Sequence, residues 1–518
     1  MSEIRAARQT RLDRVLNLIE RAGNKLPEPF LLFGLLFLVV AVLSTAISWF
    51  GVSVTIPGDD AATPVRGAFT GEGLEFLFTG MAENFIGFPP LETVVTIMLA
   101  VGLAERSGLL TAVIRGSIGG SPRWVLPYAL GLVGVSASVM ADSSMIILPP
   151  LAALVFKAAG RHPVAGLLGG FAAAGAGYST SIVVTSLDAL FSGISNEVAA
   201  VLPDPGTVVN PVSNYYFNAV SAVLLGLLAG VLIDRIIEPR LWRTGVPSEV
   251  VEPEQEPSTA LGLEPAERRG LIWSGLAFLV TAALVLLLAL WPHSPLQNSS
   301  GGFLPESPLL DSVTTLIFIG FAVPAIVYGA LVGTVRRAGD VPLLMAQALR
   351  ELSGFLVLAF MLGQFIALFN WTNLGSLVAV SGADLLRAMH LDGYPAFLGF
   401  MVLASVLNLF IISGSSLWTL MASVFVPMFV LIGFEPGFAQ AVFRVGDSAT
   451  QIMTPLNPYM IVLLGYVRRY EPGAGIGTLV ARMMPFVVPF WLLWALIMTV
   501  FYFADLPLGP GMGIHVGR

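Results

Sequence analysis

Long apolar stretches alternate with short polar ones along the whole chain. The first, about 29–50 (PFLLFGLLFLVVAVLSTAISWF), is long enough to cross a bilayer as a helix. Further stretches at about 91–115, 164–187, 216–237, 269–292, 311–334, 350–380, 438–466 and 483–505 read the same way. Two others are interrupted. The stretch at about 124–158 is broken by VSASVMADSSM and by Pro149-Pro150, and the one at about 396–433 by NLFIISGSSLW.

Lys and Arg placement gives these stretches a direction. Five Arg residues (Arg5, Arg8, Arg11, Arg14, Arg21) precede the first stretch and predict a cytoplasmic N-terminal segment, 1–28. The interrupted stretch at 124–158 has basic flanks at both ends, so it enters and leaves on one side as a re-entrant hairpin. The stretch at 396–433 has acidic or neutral flanks apart from Arg387, which predicts a second hairpin entering from the opposite side. The pattern therefore predicts an all-α polytopic membrane protein of about nine crossings and two oppositely oriented hairpins. A first half (29–237) and a second half (269–505) form an inverted repeat, joined by a polar cytoplasmic linker (238–268) and followed by a tail (506–518). Interrupted helices meeting near the midplane of inverted repeats are the architecture of secondary transporters.

Composition narrows the class. The chain has 518 residues, 56% hydrophobic and only 11% charged. Soluble domains carry about 25% charged residues, so a soluble enzyme or nucleic-acid binder is excluded. There is no Cys, which removes disulfides and thiolate metal ligation, and the four His residues are scattered. No phosphate-binding GxxxxGK[ST] motif is present, so energy for transport is expected from an ion gradient. No cofactor is expected beyond a candidate Na⁺.

Polar residues inside apolar stretches mark the chemistry. Asp142, Ser143 and Ser144 sit at the first interruption, and Asn408, Ser413, Gly414, Ser415 and Ser416 around the second. Half-helix N-termini there suit a carboxylate, and unwound carbonyls and Asn side chains suit Na⁺. Arg444 and Asp447 share a helix face within an apolar stretch. Either Arg444 holds a substrate carboxylate while Asp447 orients it or binds a cation, or the two neutralise each other structurally. Asp188 either carries the coupling proton or caps a helix. Trp418 either stacks on an aromatic substrate or anchors the chain at the interface. Pro436 reads as a helix start. Asp142 and Asn457 are further polar candidates of the same segments.

The run from Asn408 to Tyr459 (LNLFIISGSSLW…FVPMFVLIGFEPGFAQAVFRVGDSATQIMTPLNPY) resembles the p-aminobenzoyl-glutamate transporter (AbgT) family. ADSSMIILPPLAALVF and SLDALFSGISNEVA look like its N-terminal counterparts. The resemblance implies a homodimeric, multi-pass inner-membrane protein with an inner core and an outer scaffold. It would take up p-aminobenzoyl-glutamate or export sulfonamide antimetabolites with protons. Carried over by motif, Asp188 and Asp447 fall on proton-coupling positions, and Trp418, Pro436 and Arg444 on substrate positions. Asn408, with Asp447, falls on a Na⁺ position. GAGYSTSIVVTSLD departs from the family by lacking an Asn, and Leu417 replaces a smaller or polar residue. A Na⁺-coupled dicarboxylate or citrate symporter would share the hairpins and remains the alternative. A channel or a membrane-embedded hydrolase fits less well. The partners expected are a small-molecule substrate, H⁺ or Na⁺, membrane lipids and a second copy of the chain, with no nucleic acid.

Overall fold

A computed structural model of the chain describes residue 27 and residues 29–55, 62–119, 121–140, 143–249, 263–299, 301–303, 307–389, 393–454 and 456–517. Asp142, most of the N-terminal segment and residues 250–262 of the central linker lie outside these residues. The principal helices are α1 (Pro29–Trp49), α2 (Pro89–Arg106), α3 (Leu109–Gly119), α4 (Leu126–Ser136), α5 (Ser143–Ala158), α6 (Pro163–Ala176), α7 (Ser186–Ala199) and α8 (Tyr215–Arg243). After the linker follow α9 (Pro265–Leu290), α10 (Val313–Val332), α11 (Asp340–Glu351), α12 (Ser353–Trp371) and α13 (Leu374–Ala388). The chain continues through α14 (Tyr394–Asn408), α15 (Gly414–Leu431), α16 (Pro436–Ala449), α17 (Pro458–Arg468) and α18 (Ile476–Phe503).

Among the described residues seven single helices are long and apolar enough to span a membrane, and α2 with α3, bent by 58°, forms one more. One of the seven, α15, is an arm of the second hairpin. Two further crossings are interrupted ones, α6 with α7 and α16 with α17, which brings the crossings to nine. The order hairpin, interrupted crossing, long helix occurs twice: α4–α5, α6/α7, α8, then α14–α15, α16/α17, α18. The halves interlock, because α7 packs on hairpin arm α15 and α17 packs on hairpin arm α5.

Small residues set this packing. Every residue of α6 and of α16 is buried. A Cβ at Gly166 would lie 2.6 Å from the Ala152 carbonyl oxygen, and one at Gly446 would lie 2.5 Å from that of Met401. Each interrupted helix thus presses its backbone against its own hairpin, the close approach that small residues permit in membranes. By contrast α9 buries only Gly270, Ser274 and Ala289, leaving a lipid-facing apolar surface.

Several boundaries differ from the sequence expectation. The crossing expected at 164–187 unwinds after Ala176 and resumes as α7 to Ala199, because Thr185 and Asp188 form a capping box that starts a new helix. The 438–466 crossing likewise unwinds between Ala449 and Pro458, where Asn457 caps α17. The stretch at 350–380 is two helices, separated at Asn373 with φ 59°. Pro149-Pro150 does not break α5, whose body runs through both prolines. The linker begins later than 238, since α8 continues to Arg243 through a π-helical turn at Ile233–Ile237. The tail folds back: Glu435 N–H donates to Ile514 O (2.9 Å) and Phe217 N–H to Leu508 O (3.0 Å).

Candidate functional site

The two unwound segments, 177–185 and 450–457, meet beside the turn of the second hairpin. Ser179, in the first, addresses three residues of α16. Its hydroxyl donates to Asp447 Oδ2 (3.0 Å), its N–H donates to Ser448 Oγ (3.2 Å), and its carbonyl accepts from Arg444 Nη1 (2.7 Å).

Arg444 is 1% exposed, and its ion pair is with Asp188 Oδ1 across the repeat at 2.8 Å. Its guanidinium also lies over the Phe191 ring, 5.1 Å from the centroid. Turned with its amide oxygen on Arg444 Nη2 (3.1 Å), Gln440 donates to Phe191 O and Ser195 Oγ. Asp188 is fully engaged: Oδ2 accepts from Thr185 N (2.7 Å) and Thr185 Oγ1 (2.8 Å), and Oδ1 from Asn218 Nδ2 (3.0 Å). A buried ion pair persists only when its remaining hydrogen-bonding capacity is met, and here the capping box and Asn218 meet the carboxylate's. The carboxylate that neutralises Arg444 in the ion pair is therefore Asp188, and the same group caps α7.

Asp447, also 1% exposed, differs. Its Oδ1 has no hydrogen-bond partner among the described residues, and neither have Asn408 Oδ1 and Gln451 Oε1. Asn408 donates through Nδ2 to the Asp447 carbonyl and to Thr450 Oγ1. The second break thus gathers oxygen acceptors without donors, which suits a proton or an oxygen-ligated cation such as Na⁺. Among the described residues no cluster of three His, Asp or Glu side chains is present.

Beside this group lies a cavity of about 530 Å³. Its walls include Tyr178 of the first break, Leu187 of α7, Ser413, Gly414 and Ser415 of the hairpin turn, Gln451 of the second break, and Leu32 of α1. The N-terminal ends of α15 and α17 both reach it, through Gly414 and Pro458. Both bring the positive end of a helix dipole to the cavity, which favours an anionic substrate. Ser413 Oγ lies 3.0 Å from both Ser415 Oγ and Ser416 Oγ and accepts from Ser416 N–H as the α15 cap.

Other sequence candidates fall elsewhere. Trp418 is wholly buried, its Nε1 donating to Phe191 O (3.2 Å) and its ring 4.7 Å from that of Phe443. It packs on Phe191 of α7 and Phe443 of α16 and is not among the cavity walls, so it buttresses those two rings instead of offering a stacking surface. Pro436 stands at the first turn of α16 against Gly206, about 12 Å along the helix from Arg444. Asn457 caps α17 through Oδ1 and holds Gln451 O through Nδ2. Ser143 and Ser144 begin α5 and do not line the cavity. Ser179, Tyr178, Gln440, Gln451 and Asn218 were not singled out by sequence. The signal for Ser179 and Gln451 was present, as the polar GYSTS and DSATQ at matching places of the two halves.

The comparisons with known proteins agree. The model of the AbgT putative transporter family matches residues 14–516. The p-aminobenzoyl-glutamate transport protein of Escherichia coli (strain K12) is 37% identical over 514 residues, 99% of each chain. Among solved structures, the Alcanivorax borkumensis YdaH transporter is similar with a TM-score of 0.86 and 35% identity, over 93% of this chain and 100% of that one. Neisseria gonorrhoeae MtrF, described as illuminating a class of antimetabolite efflux pumps, is similar with a TM-score of 0.87 and 34% identity over 96% and 99%.

Proposed function

This chain belongs to the AbgT transporter family, and we propose that it moves aromatic carboxylates of the p-aminobenzoyl-glutamate kind, or sulfonamide antimetabolites, using an ion gradient. The observation that carries the coupling is the buried Asp447 Oδ1 without a partner among the described residues, on a carboxylate whose other oxygen lies 3.3 Å from a Cβ built on Gly414, a residue of the cavity wall. Substrate carboxylates would sit at the α15 and α17 N-termini, with the Ser413–Ser416 hydroxyls as donors. The coupling ion, a proton or Na⁺, would load on Asp447. Arg444 stays fixed by Asp188 and supplies the positive field that tunes it. Transport would proceed by rocking of the hairpin core against the outer helices in a bacterial inner membrane. The protein would work as a homodimer with a cytoplasmic N-terminal segment.

The neutral oxygens around Asp447 favour Na⁺ as much as a proton, which keeps a Na⁺-coupled dicarboxylate or citrate symporter as the second reading. Proteoliposomes given a pH gradient or a Na⁺ gradient, with labelled p-aminobenzoyl-glutamate, sulfonamide or citrate outside, separate them. Gradient-driven flux of either of the first two substrates supports the proposal; Na⁺-driven citrate flux alone replaces it.

A further inference from the structure

We propose that Ser179 is a positioning residue that couples ion occupancy at Asp447 to the shape of the substrate cavity; this rests on the transport reading above. Ser179 is 1% exposed and lies in the first break, and its three polar groups all bind the second repeat. Its backbone contacts, to Ser448 and Arg444, do not depend on the charge of Asp447. Its hydroxyl bond to Asp447 Oδ2 does, because a carboxylate that has taken a proton or cation on Oδ1 is a weaker acceptor at Oδ2.

The next residue back is a cavity wall. Tyr178 lines the 530 Å³ cavity opposite the Ser413–Ser415 turn. A Cβ built on Gly414 would lie 3.3 Å from Asp447 Oδ2 and 3.4 Å from Tyr178 Cε1, so the carboxylate, the hairpin turn and the tyrosine ring meet at one point. A shift of the Ser179 hydroxyl is therefore delivered to Tyr178 through one peptide unit, in a segment held by two turn bonds, Tyr178 N–H to Gly175 O (3.3 Å) and Thr180 N–H to Gly177 O (3.0 Å), instead of a continuous helical ladder. The charged and titratable groups facing Asp447 are Arg444 on its own helix, Asp188 on α7 behind Arg444, and Tyr178 in the first break. The packed segments α6 and α15 carry no ionisable side chain, and α14 carries only Tyr394 at its far end. Substrate and ion thus sense each other through Ser179, a reciprocal coupling between two sites.

The test is flux of labelled p-aminobenzoyl-glutamate into proteoliposomes of wild-type, Ser179→Ala and Ser179→Thr protein, at limiting and saturating coupling ion. In the wild type the apparent KM falls as the ion saturates. Ser179→Ala is expected to shrink that KM ratio at least threefold toward one, and Ser179→Thr, which keeps the hydroxyl, to restore it. A wild-type ratio in Ser179→Ala overturns the proposal. So does a uniform loss of kcat with the ratio unchanged, or a threonine variant as uncoupled as the alanine one. Wild-type vesicles in the same series carry the transport reading, so absent gradient-driven flux there strikes that reading and not the role of Ser179.

Discussion

The two aspartates at the heart of the molecule occupy different environments. Asp188, at the first break, has both oxygens bonded and an arginine at 2.8 Å. Asp447, at the second, has one oxygen bonded to Ser179 and the other without a partner. A carboxylate whose bonds are filled by a capping box and a fixed cation is a structural counter-ion. One with an open oxygen next to other open oxygens can take up and release an ion. On the transport reading proposed above, the repeat keeps its shape in both halves but divides the labour, the first half positioning and the second binding.

The sharpest way to break this comparison is to remove Arg444. Arg444→Ala leaves Asp188 buried and unpaired, expected to cost about 3–5 kcal/mol, seen as a large drop in melting temperature in detergent. Wild-type stability would show that the pair is dispensable. Asp447→Asn keeps an acceptor for Ser179 and leaves melting nearly unchanged, while gradient-driven flux is lost. Gly414→Ala puts a methyl against Asp447 Oδ2 and Tyr178, and flux is expected to fall several-fold with the fold intact. Unaltered flux would show that the hairpin turn has room to spare. Trp418→Phe removes one buried hydrogen bond, to Phe191 O, at about 1 kcal/mol, and shifts substrate KM less than twofold. A tenfold KM change would restore the stacking role.

The smallest expected effect lies away from the core, where Arg161 binds Asp234 (2.5 Å) and Glu238 at the end of α8. Next to it His162 is buried, and desolvation holds its imidazole below the ordinary 6.5, opposed by the bond to Val246 O. A depressed value means that stability is fully present above about pH 6.5 and is lost as the pH falls through the folded value. Melting between pH 7.5 and 5.5 should decline more steeply in the wild type than in His162→Asn; equal slopes would remove His162 from the account.

Much of the fold was legible because membrane insertion writes it into hydropathy and Arg placement. The two interrupted stretches at 124–158 and 396–433 became α4–α5 and α14–α15, and the crossings number nine. The breaks inside the crossings were harder to read. GYSTS and DSATQ stand among apolar residues that would equally fill a continuous helix, and only the N-caps at Thr185 and Asn457 mark the start of a new one. Arg444 and Asp447 were visible as intramembrane charges, but spacing joins residues of one helix, and Arg444's ion pair reaches across 256 positions of sequence to Asp188. Trp418 was ambiguous for a related reason: Gly414 and Ser415, one turn before it on α15, line the cavity, and only tertiary packing seats its ring against Phe191 and Phe443.

The most direct test of the division of labour compares Asp447→Asn with Asp188→Asn in proteoliposomes, reading gradient-driven flux beside substrate exchange without a gradient. Asp447→Asn is expected to keep exchange and lose the gradient response, while Asp188→Asn loses both together with stability. A stable Asp188→Asn variant that exchanges substrate but ignores the gradient, with Asp447→Asn still driven by it, would contradict the account.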